Sequence, residues 1–160
     1  MSVEKEQQFF TVEDANKRLP LVRAIVADIV DLYGYVHDRE QRLKEISELP
    51  GSTNKRDEET PYSEETRLAE EELDRDKQKL FGFFKELEEL GVEMKDPRIG
   101  LIDFRSKMDG REVYLCWKQG EEEVAHWHEL DAGFAGRHSL LETATEGMDA
   151  DETSQGHFSF

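Results

Sequence analysis

A regular spacing of apolar residues in the first third of the chain constrains the fold more than any other feature. Seven positions follow one another at intervals of 4, 3, 4, 3, 4 and 3, and six of them are apolar: Ile25, Ile29, Leu32, Val36, Arg39, Leu43 and Ile46. A repeat of about 3.5 residues is typical of a helix that packs along another helix. The chain therefore needs a second long helix to cover this stripe.

The helix that carries the stripe has a clear start and one internal obstacle. Thr11 is a good N-cap, and acidic residues follow it in the first turn. Pro20 removes a backbone hydrogen bond and clashes with the preceding turn. We therefore expect a short helix over residues 12–19, a kink or break at Pro20, and a long helix from there to about Leu49.

A second helical segment follows after a polar stretch. Residues 48–63 contain Pro50, Gly51 and many charges, which predicts a mobile loop. A helix is predicted from about residue 63 to 90, and Gly91 is a typical stop signal. Two helices joined in this way form an antiparallel hairpin.

The pattern changes from helical to extended beyond residue 91. Three strands are predicted, over residues 100–106, 112–117 and 124–130. Asp109-Gly110, between the first two, is a strong hairpin-turn signal. Segment 112–117 is apolar on both alternations, which places it in the centre of the sheet and makes Cys116 a buried core side chain. The predicted fold class is α+β, with a long antiparallel helical hairpin packed on a three-stranded antiparallel β-meander.

Composition limits the range of partners and the domain count. The chain has 160 residues with 38 acidic and 21 basic side chains, a net charge of −17. This excess argues against nucleic acid and anionic membranes as partners. We expect one domain over residues 1–137 and an acidic, disordered tail over residues 138–160. A single cysteine, and a start without an apolar signal region, favour the cytoplasm.

The predicted helices are longer than the predicted strands, so the sheet leaves part of the hairpin uncovered. We therefore expect a non-enzymatic interaction module that needs no cofactor and self-associates as a homodimer. The interface candidates lie on the two helices: Ile25, Leu32, Arg39 and Phe83. No complete set of catalytic residues is recognisable in the sequence. Whether the protein is an enzyme therefore stays open.

Three segments resemble a known family. They are WHELDAGFAGR from Trp127 to Arg137, GVEMKDPRIGLIDF from Gly91 to Phe104, and the opening FFTVEDANKRLPLVR. Over about residues 9–137 the chain resembles DUF2203, an uncharacterised family of bacteria and archaea. The resemblance implies a small cytosolic protein, and it implies no particular activity.

An alternative function is a ligand or metal site near the end of the last predicted strand. His126 and His128 share one face of that strand, so their imidazoles can hold one divalent metal ion, with Asp103, Asp131 or His138 as further ligands. A small anionic ligand is the other option. Its candidate residues combine acids, a base, a cation and two glycines: Asp103, His128, Glu129, Asp131, Gly133, Gly136 and Arg137.

A purely structural explanation of the same segment also stays open. Glu129 or Asp131 can pair with Arg137, and Gly133 and Gly136 can hold positive φ angles in the loop that leaves the sheet. A cheap test separates the two explanations, because a binding site requires the candidate side chains to converge in one place.

Overall fold

The computed structural model of the chain describes residues 8–49 and 61–141. In this part of the chain two helices and five strands follow one another: α1 Val12–Glu48, α2 Pro61–Glu89, β1 Val92–Asp96, β2 Leu101–Met108, β3 Arg111–Lys118, β4 His126–Glu129 and β5 His138–Ser139. A short 3-10 turn, Phe134–Gly136, lies between β4 and β5. The strands form one antiparallel sheet in the order β1-β2-β3-β4-β5. The α+β class is confirmed.

The predicted number of three strands is wrong, because an edge strand is added on each side. β1 pairs with β2 through a register that shifts between Met94 and Asp96. β5 has only two residues, and it pairs with β4 through His126↔Ser139 and Trp127↔His138. A strand this short has no periodic signal in the sequence, and the shifted, charged edge strand β1 has a weak one.

Of the predicted kink or break at Pro20, the break does not occur, because α1 runs through Pro20 as one helix of 37 residues. The kink stays a prediction. Thr11 and Asp14 form a reciprocal capping box that fixes the start of the helix. Leu19 and Val22, which flank the proline, are both buried in the core. Their burial on one continuous face offsets the hydrogen bond that the proline ring removes.

The two helices pack as the predicted antiparallel hairpin. Near the base of the hairpin, a guanidinium nitrogen of Arg18 donates to the Leu90 carbonyl oxygen over 2.9 Å. Farther out, Arg39 lies 3.4 Å from the Glu72 carboxylate. Residues 50–60 of the predicted loop lie outside the described part of the chain, while Glu48 and residues 61–63 belong to the helices.

The four predicted interface residues all make contacts within this one chain. Ile25 is buried in the core, and Leu32 and Phe83 are half-buried against it. Arg39 pairs with Glu72 of α2, as described above. Their role between two chains stays a prediction.

The two faces of the sheet differ in chemistry. One face packs against the helices and contributes large apolar side chains to the core: Ile102, Phe104, Leu115, Trp117 and Trp127. The residues that alternate with them point to the opposite face, which we call the polar face: Asp103, Tyr114, Cys116, His126 and His128. β3, with strands on both sides, is central as predicted.

The predicted tail begins at residue 138, but His138–Ser139 form β5. The Leu140 N–H then donates to the Ala125 carbonyl oxygen over 2.9 Å. The rest of the predicted tail, residues 142–160, lies outside the described residues. Neither helix in residues 8–49 and 61–141 is long and apolar enough to cross a membrane.

Candidate functional site

Strand register brings the titratable side chains of the polar face together. Asp103 on β2 lies directly opposite Cys116 on β3, and Tyr114 lies directly opposite His128 on β4. Opposed residues on one face have Cβ atoms about 5 Å apart, so their side chains touch. All four side chains are buried, with the most exposed of them, Tyr114, at 7%.

His128 and Asp103 form a buried hydrogen-bonded pair. His128 Nδ1 lies 2.7 Å from the Glu129 carbonyl oxygen, and because a carbonyl only accepts, Nδ1 carries a proton and donates it. His128 Nε2 lies 2.9 Å from Asp103 Oδ2. This contact needs one further proton, which the two atoms share. The pair is neutral as a whole, whichever atom holds the proton.

The second oxygen of Asp103 forms no hydrogen bond of acceptable geometry with a described residue, although the Cys116 thiol lies beside the carboxyl and acts to lower its pKa. Asp103 Oδ1 is buried and accepts no hydrogen bond from the described residues. Burial raises the pKa of the Asp103 carboxyl, and it outweighs the nearby imidazole of His128, which acts to lower that pKa. A buried, unsatisfied carboxylate oxygen is costly, so it calls for an explanation.

Cys116 completes a group of three potential metal ligands. The ligand atoms of Asp103, Cys116 and His128 all lie within 4.8 Å of one another. Burial, followed by the charge of Asp103, raises the pKa of the Cys116 thiol from 9.0 to about 12, against an opposite effect of Arg137. With this pKa the thiol is protonated at neutral pH.

Arg137 links this group to the loop that follows β4. Its Nη1 lies 3.8 Å from Cys116 Sγ and 3.2 Å from Glu121 Oε1, and its Nη2 contacts Glu121 Oε2. Burial alone acts to raise the pKa of Glu121, but the bonds from Arg137 and from the Lys118 N–H outweigh it, and the pKa is lowered. The Arg137 side chain is thus held between a carboxylate and a thiol.

Two aromatic residues border the cluster. The Tyr114 ring lies 5.3 Å from the His128 ring, and its hydroxyl donates to Glu93 over 3.1 Å. His126 is half-buried, and its Nδ1 forms no hydrogen bond with the described residues, although Glu121 Oε2 lies 3.8 Å away. His126 shares the polar face with His128 as predicted, but its ring does not join the group of three close ligand atoms.

The structure separates the candidate residues of the sequence. Asp103, His128 and Arg137 converge on the polar face, whereas the Glu129 side chain points to the other face and pairs with Arg111 at 2.7 Å. Asp131 is exposed on the loop. Whether these residues bind a ligand stays a prediction.

The predicted positive φ angles of the two loop glycines are wrong. Gly133 has φ −105° and ψ −160°, which is extended backbone, and Gly136 is not among the glycines with positive φ. Instead the Gly136 N–H donates to the Gly133 carbonyl oxygen over 3.0 Å and closes the 3-10 turn. That N–H is therefore not available to an anion.

Sequence reasoning missed two members of the cluster, Cys116 and Glu121. Cys116 was placed correctly in the interior but was taken for an apolar side chain, since it stands in the run VYLCW. Its period-two relation to Tyr114 was the available signal, because both alternate with the residues that pack on the helices. Arg137, which lies next to Cys116 in space, is distant from it in sequence.

These features define a class: a small α+β protein whose sheet packs a helical hairpin on one face and buries a carboxylate, a thiol and an imidazole on the other. The chain belongs to the family described as an uncharacterized conserved protein, DUF2203, whose sequence model matches residues 8–140 of 160. The resemblance found in the sequence is confirmed. No curated protein and no solved structure matches the chain significantly.

Proposed function

We propose that this protein binds one divalent ion of the zinc class on the polar face, through Asp103, Cys116 and His128, in the cytosol. One observation carries the proposal. Three donor atoms of different chemistry lie within 4.8 Å of one another, and no described residue forms a hydrogen bond of acceptable geometry with the buried Asp103 Oδ1 beside them. An ion would satisfy this oxygen.

The orientation of His128 supports this proposal. Its Nδ1–H is committed to the Glu129 carbonyl oxygen, which leaves Nε2 to face Asp103. Ligating histidines commonly donate their second ring N–H to a carbonyl or carboxylate, which fixes the ring. A metal ion can therefore take the place of the proton at Nε2 without turning the imidazole.

The donor set favours a particular kind of ion. Thiolate, imidazole and carboxylate suit zinc and similar transition metals. Magnesium and calcium require several oxygen ligands, and this cluster supplies only one carboxylate. Three protein donors leave one position of a tetrahedral ion for water or for another ligand.

The experiment is a metal titration of the chain without an affinity tag, first stripped with EDTA. We expect one Zn²⁺ per chain, no competition from Mg²⁺, and a thiolate charge-transfer band with Co²⁺. His128→Ala should weaken zinc binding by more than the about 10–100-fold that loss of a supporting hydrogen bond costs. His138→Ala is the matched control, because His138 contacts Trp127 on the other face.

Surface carboxylates also attract cations. The comparison of His128→Ala with its control, His138→Ala, separates this general attraction from binding at the three-ligand cluster. Both histidine variants keep the net charge of −17. Equal zinc affinity of His128→Ala and wild type, or binding without the charge-transfer band, would place the ion elsewhere and end this proposal.

Self-association through the helical hairpin is a second candidate function. It is favoured because buried residues stop well before the far end of the two helices. α1 has 37 residues and spans about 55 Å, while the eight residues of β2 span about 27 Å. Among the described residues the last buried position of α1 is Val36, and the first of α2 is Leu73. Beyond them Ile46 is half-buried, and Leu68 is 51% exposed.

The test is the oligomeric state by light scattering at about 100 µM, where a dimer with a Kd of about 1 µM is nearly complete. We expect a dimer, which Ile46→Glu should convert to a monomer. Leu21→Glu is the control, because Leu21 is 55% exposed on the same helix but lies near its other end. A monomeric wild-type chain would exclude this candidate and would leave the metal proposal untouched.

A further inference from the structure

His126 lies at the edge of the three-ligand cluster, which consists of Asp103, Cys116 and His128. It is directly opposite Cys116 in the pairing of β3 with β4, and it comes two residues before His128 on the same strand. Opposed residues on one face have Cβ atoms about 5 Å apart. The imidazole of His126 is therefore attached to the backbone beside the proposed ion, although its nitrogens lie outside the group of three close donor atoms.

The inner nitrogen of the His126 ring forms no hydrogen bond with a described residue. This atom, Nδ1, is buried. Glu121 Oε2 lies 3.8 Å away, which is too far for a hydrogen bond, and the Glu121 carboxylate is bonded to Arg137 and to the Lys118 N–H. A buried ring nitrogen in this state calls for an explanation. The side chain is 30% exposed, and two rotamers about the Cα–Cβ bond are common in strands.

The burial of the three-ligand cluster favours a fourth ligand from the protein itself. Asp103, Cys116 and His128 are each at most 3% exposed, so water has little access to an ion among them. Structural zinc sites are closed by four protein ligands, whereas catalytic sites keep one position for water or substrate. A buried ion therefore fits a closed site better than an open one.

The other donors near the cluster are engaged or point away from it. Glu121 is bonded to Arg137. Asp131 is exposed on the loop after β4, and His138 packs on the other face. Of these candidates only His126 combines a place on the polar face with a nitrogen that bonds to no described residue.

We infer that His126 is the fourth ligand of the proposed ion, an inference that rests on the proposed function. The ring turns about its Cα–Cβ bond and places one nitrogen on the ion. The completed site has one carboxylate, one thiolate and two imidazoles, and it joins β2, β3 and β4. Such an ion is structural, because it ties three strands together and leaves no position for a substrate or an anion.

The experiment uses Co²⁺ in the wild-type chain after treatment with EDTA, and azide is the probe of an open position. We expect azide to leave the visible spectrum of the wild-type cobalt protein unchanged and to shift the spectrum of His126→Ala. His126→Ala should also bind zinc at least about tenfold more weakly than wild type. His138→Ala is the matched control and should resemble wild type in both measurements, because His138 packs on the other face.

A second measurement does not depend on any variant, so it holds even if His126→Ala does not fold. X-ray absorption of the wild-type zinc protein should show one sulfur ligand and two imidazoles. A single imidazole, or an azide shift in the wild-type spectrum, would refute the fourth ligand and leave the three-ligand site standing. Equal zinc affinity of the two histidine variants would refute it as well. A wild-type chain that binds neither ion would overturn the proposed function itself.

Discussion

Phe104 and Asp103 are neighbours on β2, and they show how differently the two faces of the sheet are built. Phe104 is fully buried among apolar side chains. Its ring packs edge-on against the Phe10 ring, with the ring centroids 5.2 Å apart. Asp103 is just as buried, but its Oδ2 contacts His128 while its Oδ1 forms no hydrogen bond of acceptable geometry with the described residues. Burial of the side chain therefore stabilises the fold at Phe104 and costs free energy at Asp103, although the two residues are adjacent.

The difference shows which face needs an explanation other than stability. Burying apolar area stabilises the fold by about 25 cal/mol for each Å². A buried carboxylate and imidazole gain little over apolar residues of the same size, because their desolvation offsets their attraction. The helix-packed face thus accounts for folding, and the polar face is where selection for a function is expected.

The largest expected effect comes from the helix-packed face. Phe104→Ala should lower the free energy of unfolding by about 3–5 kcal/mol, since it leaves a cavity in the core. Urea unfolding followed by circular dichroism measures it in EDTA. Phe81→Ala, at a side chain 68% exposed, should stay within about 0.5 kcal/mol of wild type. A cost below about 1 kcal/mol at Phe104 would contradict the division into two faces.

The next expected effect concerns the thiol of the polar face. With its pKa raised from 9.0 to about 12, Cys116 has about a thousandfold less thiolate at neutral pH than an ordinary thiol. A chromogenic disulfide reagent should therefore react with the EDTA-treated native chain far more slowly than with the chain unfolded in urea. Cys116 is the only cysteine, so the signal is unambiguous. Equal rates would show that the polar face is open to solvent.

Sequence alone predicted the helix-packed face better than the edges of the sheet. The 3.5-residue repeat predicted the hairpin because apolar residues recur at this spacing along much of α1. Asn16 had no predicted role, yet its side chain accepts from the Val124 N–H over 2.7 Å and donates toward the Val124 carbonyl at 3.3 Å. A single contact between residues this far apart in sequence leaves no pattern to detect.

The candidate site was predicted in part, for the same reason. The period of two placed His126 and His128 on one face, as observed, and the same alternation puts Glu129 on the other. Strand alternation, however, does not give the register between strands. Only the pairing of Asp103 with Cys116 brings those two side chains together. The Asp109-Gly110 turn fixes that register, so the sequence carried the signal, but the thiol was taken for an apolar core side chain.

A smaller effect tests whether the burial of Asp103 serves a metal. Asp103→Asn keeps the size of the side chain, and its amide can donate to His128 Nε2 in place of the shared proton, so in EDTA we expect a cost of no more than about 1 kcal/mol, the typical effect of a point substitution. Zinc at 100 times its Kd should stabilise wild type by about 2.7 kcal/mol and the variant hardly at all. Thermal unfolding with and without zinc measures the difference.

The control for that variant is Glu93→Gln. Glu93 lies directly opposite Asp103 on β1, and its carboxylate accepts from Tyr114. The substitution removes one negative charge from the same face without touching the three-ligand cluster. If both variants lose the zinc effect equally, general attraction of the acidic face explains the binding, and the specific site does not exist.

The smallest expected effect on stability concerns Glu129 on β4, whose side chain and backbone carbonyl contact different faces of the sheet. Glu129→Gln loses an exposed ion pair with Arg111, which should cost no more than about 1 kcal/mol in urea unfolding. The variant keeps the backbone carbonyl that accepts from His128 Nδ1, so zinc affinity should be unchanged in a titration. A tenfold loss of zinc affinity would mean that the Glu129 side chain reaches the ion. The functional boundary would then run through β4 rather than between the two faces of the sheet.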